Sequence, residues 1–257
     1  MIDKKSKIYI TGDMHGEIGI SKFNSDNFPE GKTLTKDDYV IVLGDFGLVW
    51  NYKETGCSVP SNPNDKCWTR EEYYWLKWLN NKPWTTLFID GNHENFNRLK
   101  TYPITEWNGG KVQKISDSVI HLLRGEVYTI NDTKIFTFGG AKSIDRGTVT
   151  GTEEKDINKI WWKEELPSQE ELDNAISNLE KHHFNVDYIL THALPNNLHM
   201  RLGYSDFDTL TSFLWNVHDM TKFKGWYCGH YHRDEQISYA TTVLFNKIIP
   251  LGDIVEG

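Results

Sequence analysis

The feature that most constrains this chain is a pattern repeated five times. A short β-prone apolar run stops at once in a small cluster of Gly, Asp, Asn and His. Residues 7–10 lead into Thr11-Gly12-Asp13-Met14-His15-Gly16, residues 39–43 into Gly44-Asp45-Phe46-Gly47, and residues 86–89 into Asp90-Gly91-Asn92-His93-Glu94. Residues 186–190 lead into Thr191-His192, and residues 226–228 into Gly229-His230-Tyr231-His232. Helices are expected between these runs, at residues 69–82, 168–184 and 205–220. The first two open with Thr69 and Glu72, and with Ser168 and Glu171, at capping-box spacing.

Strands alternating with helices imply crossover connections and a largely parallel sheet. Such sheets bind ligands outside the carboxyl ends of their strands, so the fold is expected to bring all five clusters together. The remaining β-prone runs, at residues 119–130, 134–139 and 237–249, are close in sequence and read as antiparallel, forming a second sheet packed on the first. The expected fold is a four-layer α/β/β/α sandwich: two mixed β-sheets flanked by helices, with residues 1–257 as one domain.

Composition narrows the function classes. The 257 residues are 38% hydrophobic and 25% charged, an ordinary balance for a folded domain. No apolar run approaches the roughly 20 residues that span a bilayer, and no secretory signal is expected at the start, so the cytoplasm is the expected compartment. The net charge of −8 argues against stable binding of duplex nucleic acid, which depends on Lys and Arg neutralising phosphates. Cys57, Cys67 and Cys228 lack CxxC spacing, and neither a disulfide framework nor a zinc-cysteine site is expected.

The five clusters supply Asp13, His15, Asp45, Asn92, His192, His230 and His232, with His93 beside them. Imidazole and oxygen donors without thiolate suit Mn, Fe or Zn better than calcium or an all-oxygen magnesium site. Seven ligand-type side chains exceed what one ion with an open position takes; they fit two ions sharing a carboxylate. In Asp13-x-His15 and His230-x-His232, residues two apart in extended backbone point to the same side. Two divalent ions less two carboxylates leave roughly +2, a charge that suits an anionic phosphoryl group.

In this order the motifs Gly12-Asp13-Met14-His15-Gly16, Gly44-Asp45, Gly91-Asn92-His93-Glu94, Thr191-His192 and Gly229-His230-Tyr231-His232 resemble the calcineurin-like metallophosphoesterase superfamily. The resemblance spans residues 12–232 and is closest to the small single-domain members of bacteria and phages. It implies a dimetal phosphoester hydrolase whose nucleophile is a metal-bridging hydroxide. It also implies that Asp13, His15 and His232 hold the first metal, Asn92, His192 and His230 the second, and Asp45 both. The ions are two divalent or trivalent metals, Mn first, with Fe or Zn as alternatives. By the same resemblance His93 stands near the leaving-group oxygen without ligating metal.

The protein Ser/Thr phosphatases of that superfamily extend the second motif to Gly-Asp-x-x-Asp-Arg-Gly. Here it runs Gly44-Asp45-Phe46-Gly47-Leu48-Val49-Trp50, without the second Asp or the Arg. The expected substrate is therefore a small phosphate ester or nucleotide. A protein phosphatase or a nuclease of the same superfamily is the alternative, and a non-catalytic scaffold that lost its metals the alternative from another class; no ligand is eroded here.

Other candidates are less constrained. Arg146, in Gly139-Gly140-Ala141-Lys142-Ser143-Ile144-Asp145-Arg146, could bind a phosphate oxygen and could equally be a surface arginine on a turn; Arg124, beside Gly125, is a weaker candidate of the same kind. His199, in a loop shortly after His192, is a candidate for touching the site, whereas His121, His182, His183 and His218 read as solvated or structural. Of ten tryptophans, Trp50, Trp161 and Trp162 are placed to wall a pocket or stack on a base. The acidic stretches at residues 153–156 and 164–171 read as solvated surface.

Overall fold

A computed structural model describes residues 5–50, 69–145 and 151–255. Cys57, Cys67 and Arg146, the last one of the two arginine candidates, lie outside the described residues. The strands are, in chain order, β1 (Ile8–Thr11), β2 (Tyr39–Leu43), β3 (Thr85–Ile89), β4 (Ile104–Trp107), β5 (Gly110–Ser116), β6 (Val119–Leu122) and β7 (Glu126–Ile130). They continue with β8 (Thr133–Phe138), β9 (Tyr188–Thr191), β10 (Gly225–Cys228), β11 (Glu235–Ser238), β12 (Thr241–Val243) and β13 (Ile248–Pro250). The α-helices are α1 (Arg70–Asn80), α2 (Phe96–Leu99), α3 (Glu153–Asp156), α4 (Gln169–Lys181), α5 (Asn196–Arg201) and α6 (Thr209–Met220). No helix among the described residues is long and apolar enough to cross a membrane.

Two mixed sheets form, one in the order β13-β1-β2-β3-β6-β5-β4 and the other β11-β12-β10-β9-β8-β7. Alternation along each strand explains the layers. On β2, Val40 and Val42 face a core shared with Leu76 and Leu79 of α1, whereas Ile41 and Leu43 face the other way. The latter meet Leu190 of β9 and Tyr227 of β10 in the core between the sheets. On the far side Ile189 and Trp226 join Ala175 and Leu179 of α4 and Leu214 of α6. Each such side chain contributes about 1.5–3 kcal/mol by leaving water, so a one-residue slip of β2 would exchange two cores at once. The result is the α/β/β/α sandwich.

Both capping boxes form: Thr69 with Glu72 opens α1, and Ser168 with Glu171 opens α4. Two expectations need correction. Residues 119–130 are not one unit: the chain turns at Gly125, whose φ of +73° suits glycine, and β6 joins the first sheet while β7 joins the second. Nor is the second sheet an antiparallel remainder. Its centre is parallel, with β8 on β9, β9 on β10 and β10 on β12. The cluster-bearing strands are therefore divided, β1, β2 and β3 in one sheet and β9 and β10 in the other.

The acidic surface reading also fails at one position. Glu165 is fully buried and accepts hydrogen bonds from the backbone N–H groups of Trp162 (3.0 Å) and Ser143 (3.0 Å).

Candidate metal centre

Two sheets facing each other bring the carboxyl ends of β1, β2, β3, β9 and β10 to one place. The loop after β1 is zipped to the loop after β2: Met14 and His15 both donate to the Asp45 carbonyl (3.0 and 2.7 Å), and Gly16 donates to Phe46 (3.0 Å). His15, Asp45, His230 and His232 hold left-handed backbone, with φ of +51°, +45°, +69° and +50°. Such conformations cost about 1–3 kcal/mol each for a residue with a side chain. Four in one cluster point to a function that the surrounding bonds are built to keep. Two glycines allow the close approach: a Cβ on Gly91 would collide with the Asp45 carboxylate, and one on Gly229 with that of Asp13.

The expected ligand side chains converge. Nε2 of His232 and of His15 lie 3.1 and 3.7 Å from Asp13 Oδ2, and the two imidazole nitrogens face each other at 3.0 Å. Asp45 turns Oδ1 to His192 Nε2 at 3.3 Å and Oδ2 to His15 Nε2 at 3.8 Å. Asn92 Oδ1 also lies 3.3 Å from His192 Nε2, and the His230 ring is 5.0 Å from that of His192, centre to centre. Asp13, His15 and His232 can offer three ligand atoms within 4.8 Å of one another, as can Asp13, Asp45 and His192. His15, Asp45 and His93 form a third such set, which leaves His93 close enough to ligate as well as to act on a substrate.

The electrostatics of the cluster favour a cation. Asp13 Oδ2 is buried and accepts no well-formed hydrogen bond. Burial works to raise the Asp13 carboxyl, but the imidazoles of His15 and His232 overcome it and hold the group well below the usual carboxylate range. Burial likewise opposes ionisation of Asp45, and His192 reverses the balance. Burial disfavours a charged His192, yet the Asp45 and Asp13 carboxylates outweigh it and raise that imidazole to about 9. His232 is raised by its contact with Asp13, while burial and then the His192 charge push His230 down to about 4. Carboxylates that stay ionised in a buried site, with histidines drawing in protons, mark a place that favours positive charge.

A supporting layer fixes these groups. His192 Nδ1 donates to the Leu43 carbonyl (2.7 Å), leaving Nε2 for the centre. Asp45 Oδ1 accepts from the His93 N–H (2.7 Å) and Asp13 Oδ1 from the His230 N–H (2.8 Å). Glu94, fully buried, accepts from the N–H groups of Phe46 (2.6 Å) and Gly47 (3.3 Å), and burial followed by repulsion from Asp45 raises its pKa well above the ordinary value. Sequence reasoning quoted Glu94 in its motif without giving it a role; the signal was its place beside His93. His199 reaches the centre only indirectly, its Nδ1 2.8 Å from the hydroxyl of Tyr231, which lies between His230 and His232.

The remaining candidates fall elsewhere. Arg124 is not gathered into the cluster; its side chain is buried and bound to Asp90 through Nε and Nη2, with Glu171 at 3.7 Å. Trp161 and Trp162 are both buried, and Trp162 belongs to the first core. Trp50 walls a groove of about 680 Å³, lined by His15, His93, Trp75 and Glu71 among others.

The sequence pattern of the calcineurin-like phosphoesterases matches residues 6–234. The chain belongs to that family. Members of that family are phosphoesterases, and the Asp and His groups described above are this chain's candidate metal-binding residues. Lariat debranching enzyme A of Xenopus laevis is similar to part of it, 33% identical over 101 residues. That stretch covers 39% of this chain and 18% of the relative.

Proposed function

We propose that the chain holds two metal ions and hydrolyses a small phosphate ester or nucleotide. The observation that carries this reading is the orientation of Asp45, whose two carboxylate oxygens face histidines on opposite sides, His192 and His15. Asp13, His15 and His232 would hold the first ion, Asn92, His192 and His230 the second, and Asp45 both. Mixed imidazole and carboxylate donors favour Mn, with Fe or Zn as alternatives. When bound, the ions would supply positive charge for the phosphoryl group and lower the pKa of a water towards neutrality.

The chain's own residues do the rest. Asp13 and Asp45, buried and ionised, set the charge and keep the ligand histidines in place. His93, partly exposed at the mouth of the groove and beside His15, is placed to donate a proton to the leaving oxygen or to stabilise its charge. The groove past Trp50 gives the leaving group a partly apolar wall. We read residues 1–257 as one such unit, working in the cytoplasm.

The likeness of part of the chain to a lariat debranching enzyme favours a second reading, a nuclease of the same superfamily. The net charge of −8 stands against docking of a long polyanion. A panel of nitrophenyl phosphates, nucleotides and long duplex DNA with Mn²⁺ separates the two. Small esters should saturate and change little between about 50 and 200 mM salt, whereas duplex docked through many phosphates loses orders of magnitude over that range. Steeply salt-dependent cleavage of duplex, faster than any small ester, would replace the first reading with the second.

A further inference from the structure

Lys22 is buried, only 6% exposed, in a short 3₁₀ turn at Ile20–Phe23. A buried ammonium survives only where oxygens replace its water. Four do: Nζ donates to the carbonyls of Asp13 (2.7 Å), Phe245 (2.6 Å) and Gly12 (3.3 Å) and to the Thr11 hydroxyl (3.3 Å). Three of these belong to the loop that carries ligand Asp13. The fourth lies 223 residues away in sequence, in the segment after β12.

Phe245 is itself a bracket. Its N–H donates to Asp234 Oδ1 (2.8 Å), and Asn246 and Lys247 donate to the same carboxylate (3.2 and 3.1 Å). Its ring lies nearly parallel to that of His232, 4.6 Å between centres at 19°. The ammonium is therefore tied to Asp13 at one end and, through Phe245, to the ring plane of His232 at the other.

We propose that Lys22 is a positioning residue for the first metal position. It clamps the Asp13 loop to the Phe245 segment and so fixes how Asp13 and His232 are presented. This rests on the two-ion reading above. The sign of the effect separates a clamp from simple electrostatics. A positive charge beside a cation site opposes the ion, so neutralising it should tighten binding if charge alone mattered; a clamp predicts the reverse.

The test is calorimetric titration of metal-stripped protein with Mn²⁺ for wild type, Lys22→Met, His232→Ala and His192→Ala. The last two assign the binding steps. Lys22→Met should weaken the step lost in His232→Ala by about tenfold or more, the range for residues that orient metal ligands. The step lost in His192→Ala should stay within about threefold, a split that general destabilisation would not produce. Equal weakening of both steps, no change, or tighter binding overturns the clamp. If Lys22→Met does not fold, Asp234→Asn loosens the other end of the tie and must weaken the same step. A wild-type chain that takes up fewer than two ions overturns the two-ion reading and the clamp with it. Two ions in wild type with no selective loss overturns the clamp alone.

Discussion

His192 donates its Nδ1 proton to the carbonyl of Leu43 at 2.7 Å, so Nε2 is the nitrogen presented to Asp45 and Asn92. The bond joins a strand end of the second sheet to one of the first and settles the tautomer by chemistry, since a carbonyl can only accept.

A pH dependence follows. In the metal-free chain the His192 imidazole is raised to about 9 by the Asp45 and Asp13 carboxylates against the opposing effect of burial. Below that pH an ion must displace a proton to reach Nε2. The apparent affinity of the second position should fall about tenfold for each pH unit below about 9, with about one proton released per ion. Calorimetry in buffers of different ionisation enthalpy measures the release, and pH-independent uptake without it contradicts the assignment. The same raised value makes His192 stabilising to the metal-free fold below about pH 6.5, a contribution lost as pH rises through about 9.

His93→Asn should leave metal uptake nearly intact and lower kcat by about 10²–10⁴-fold, the range for a positioned acid. The loss should shrink for nitrophenolate leaving groups, which need little protonation. Loss of an ion in this variant would instead make His93 a ligand, as its closeness to His15 and Asp45 allows.

Asp145 Oδ2 lies 3.7 Å from His93 Nε2, with both side chains about one-third exposed. Solvent-accessible pairs contribute about 1 kcal/mol or less. Asp145→Asn is therefore expected to change kcat by no more than about fivefold, far less than His93→Asn. A loss equal to that of His93→Asn would show that the pair acts as a unit.

Asp90 gives an acid-side prediction. Burial opposes its ionisation, but Arg124 and His121 lower its carboxyl from 3.8 to about 2. A depressed carboxylate stabilises the fold above its unfolded value, and the contribution is lost as pH falls from about 4 through about 2. The difference in urea stability between wild type and Asp90→Asn should shrink by about 2 kcal/mol across that window. A constant difference would mean that the fold leaves the Asp90 carboxyl at its unfolded value.

How much of this was legible depended on how local each determinant is. The run at residues 39–43 is continuously apolar and is β2 to the residue, and the capping boxes lie within single turns. The candidate cluster was legible because each of its residues follows its strand within a few positions. What failed depends on contacts across the chain. Nothing near residues 119–130 says that β6 and β7 enter different sheets, and the adjoining β4-β5 hairpin was missed although Asn108 and Gly109, with φ of +49° and +89°, form an Asn-Gly turn. Arg124 could not be read without seeing Asp90, 34 residues away. Lys22 carries no motif at all, because three of its four partners are backbone carbonyls, which any sequence supplies.

The most direct test of the account is metal stoichiometry in Asp45→Ala beside wild type, with hydrolysis of a nitrophenyl phosphate followed in parallel. Because Asp45 faces both halves of the cluster, the variant should hold less metal at both positions, while His192→Ala loses mainly one. Its kcat should drop by about 10³-fold or more, since no single proton-transfer group accounts for the whole rate enhancement. An Asp45→Ala chain that holds two ions with wild-type activity would contradict the shared carboxylate and the account built on it.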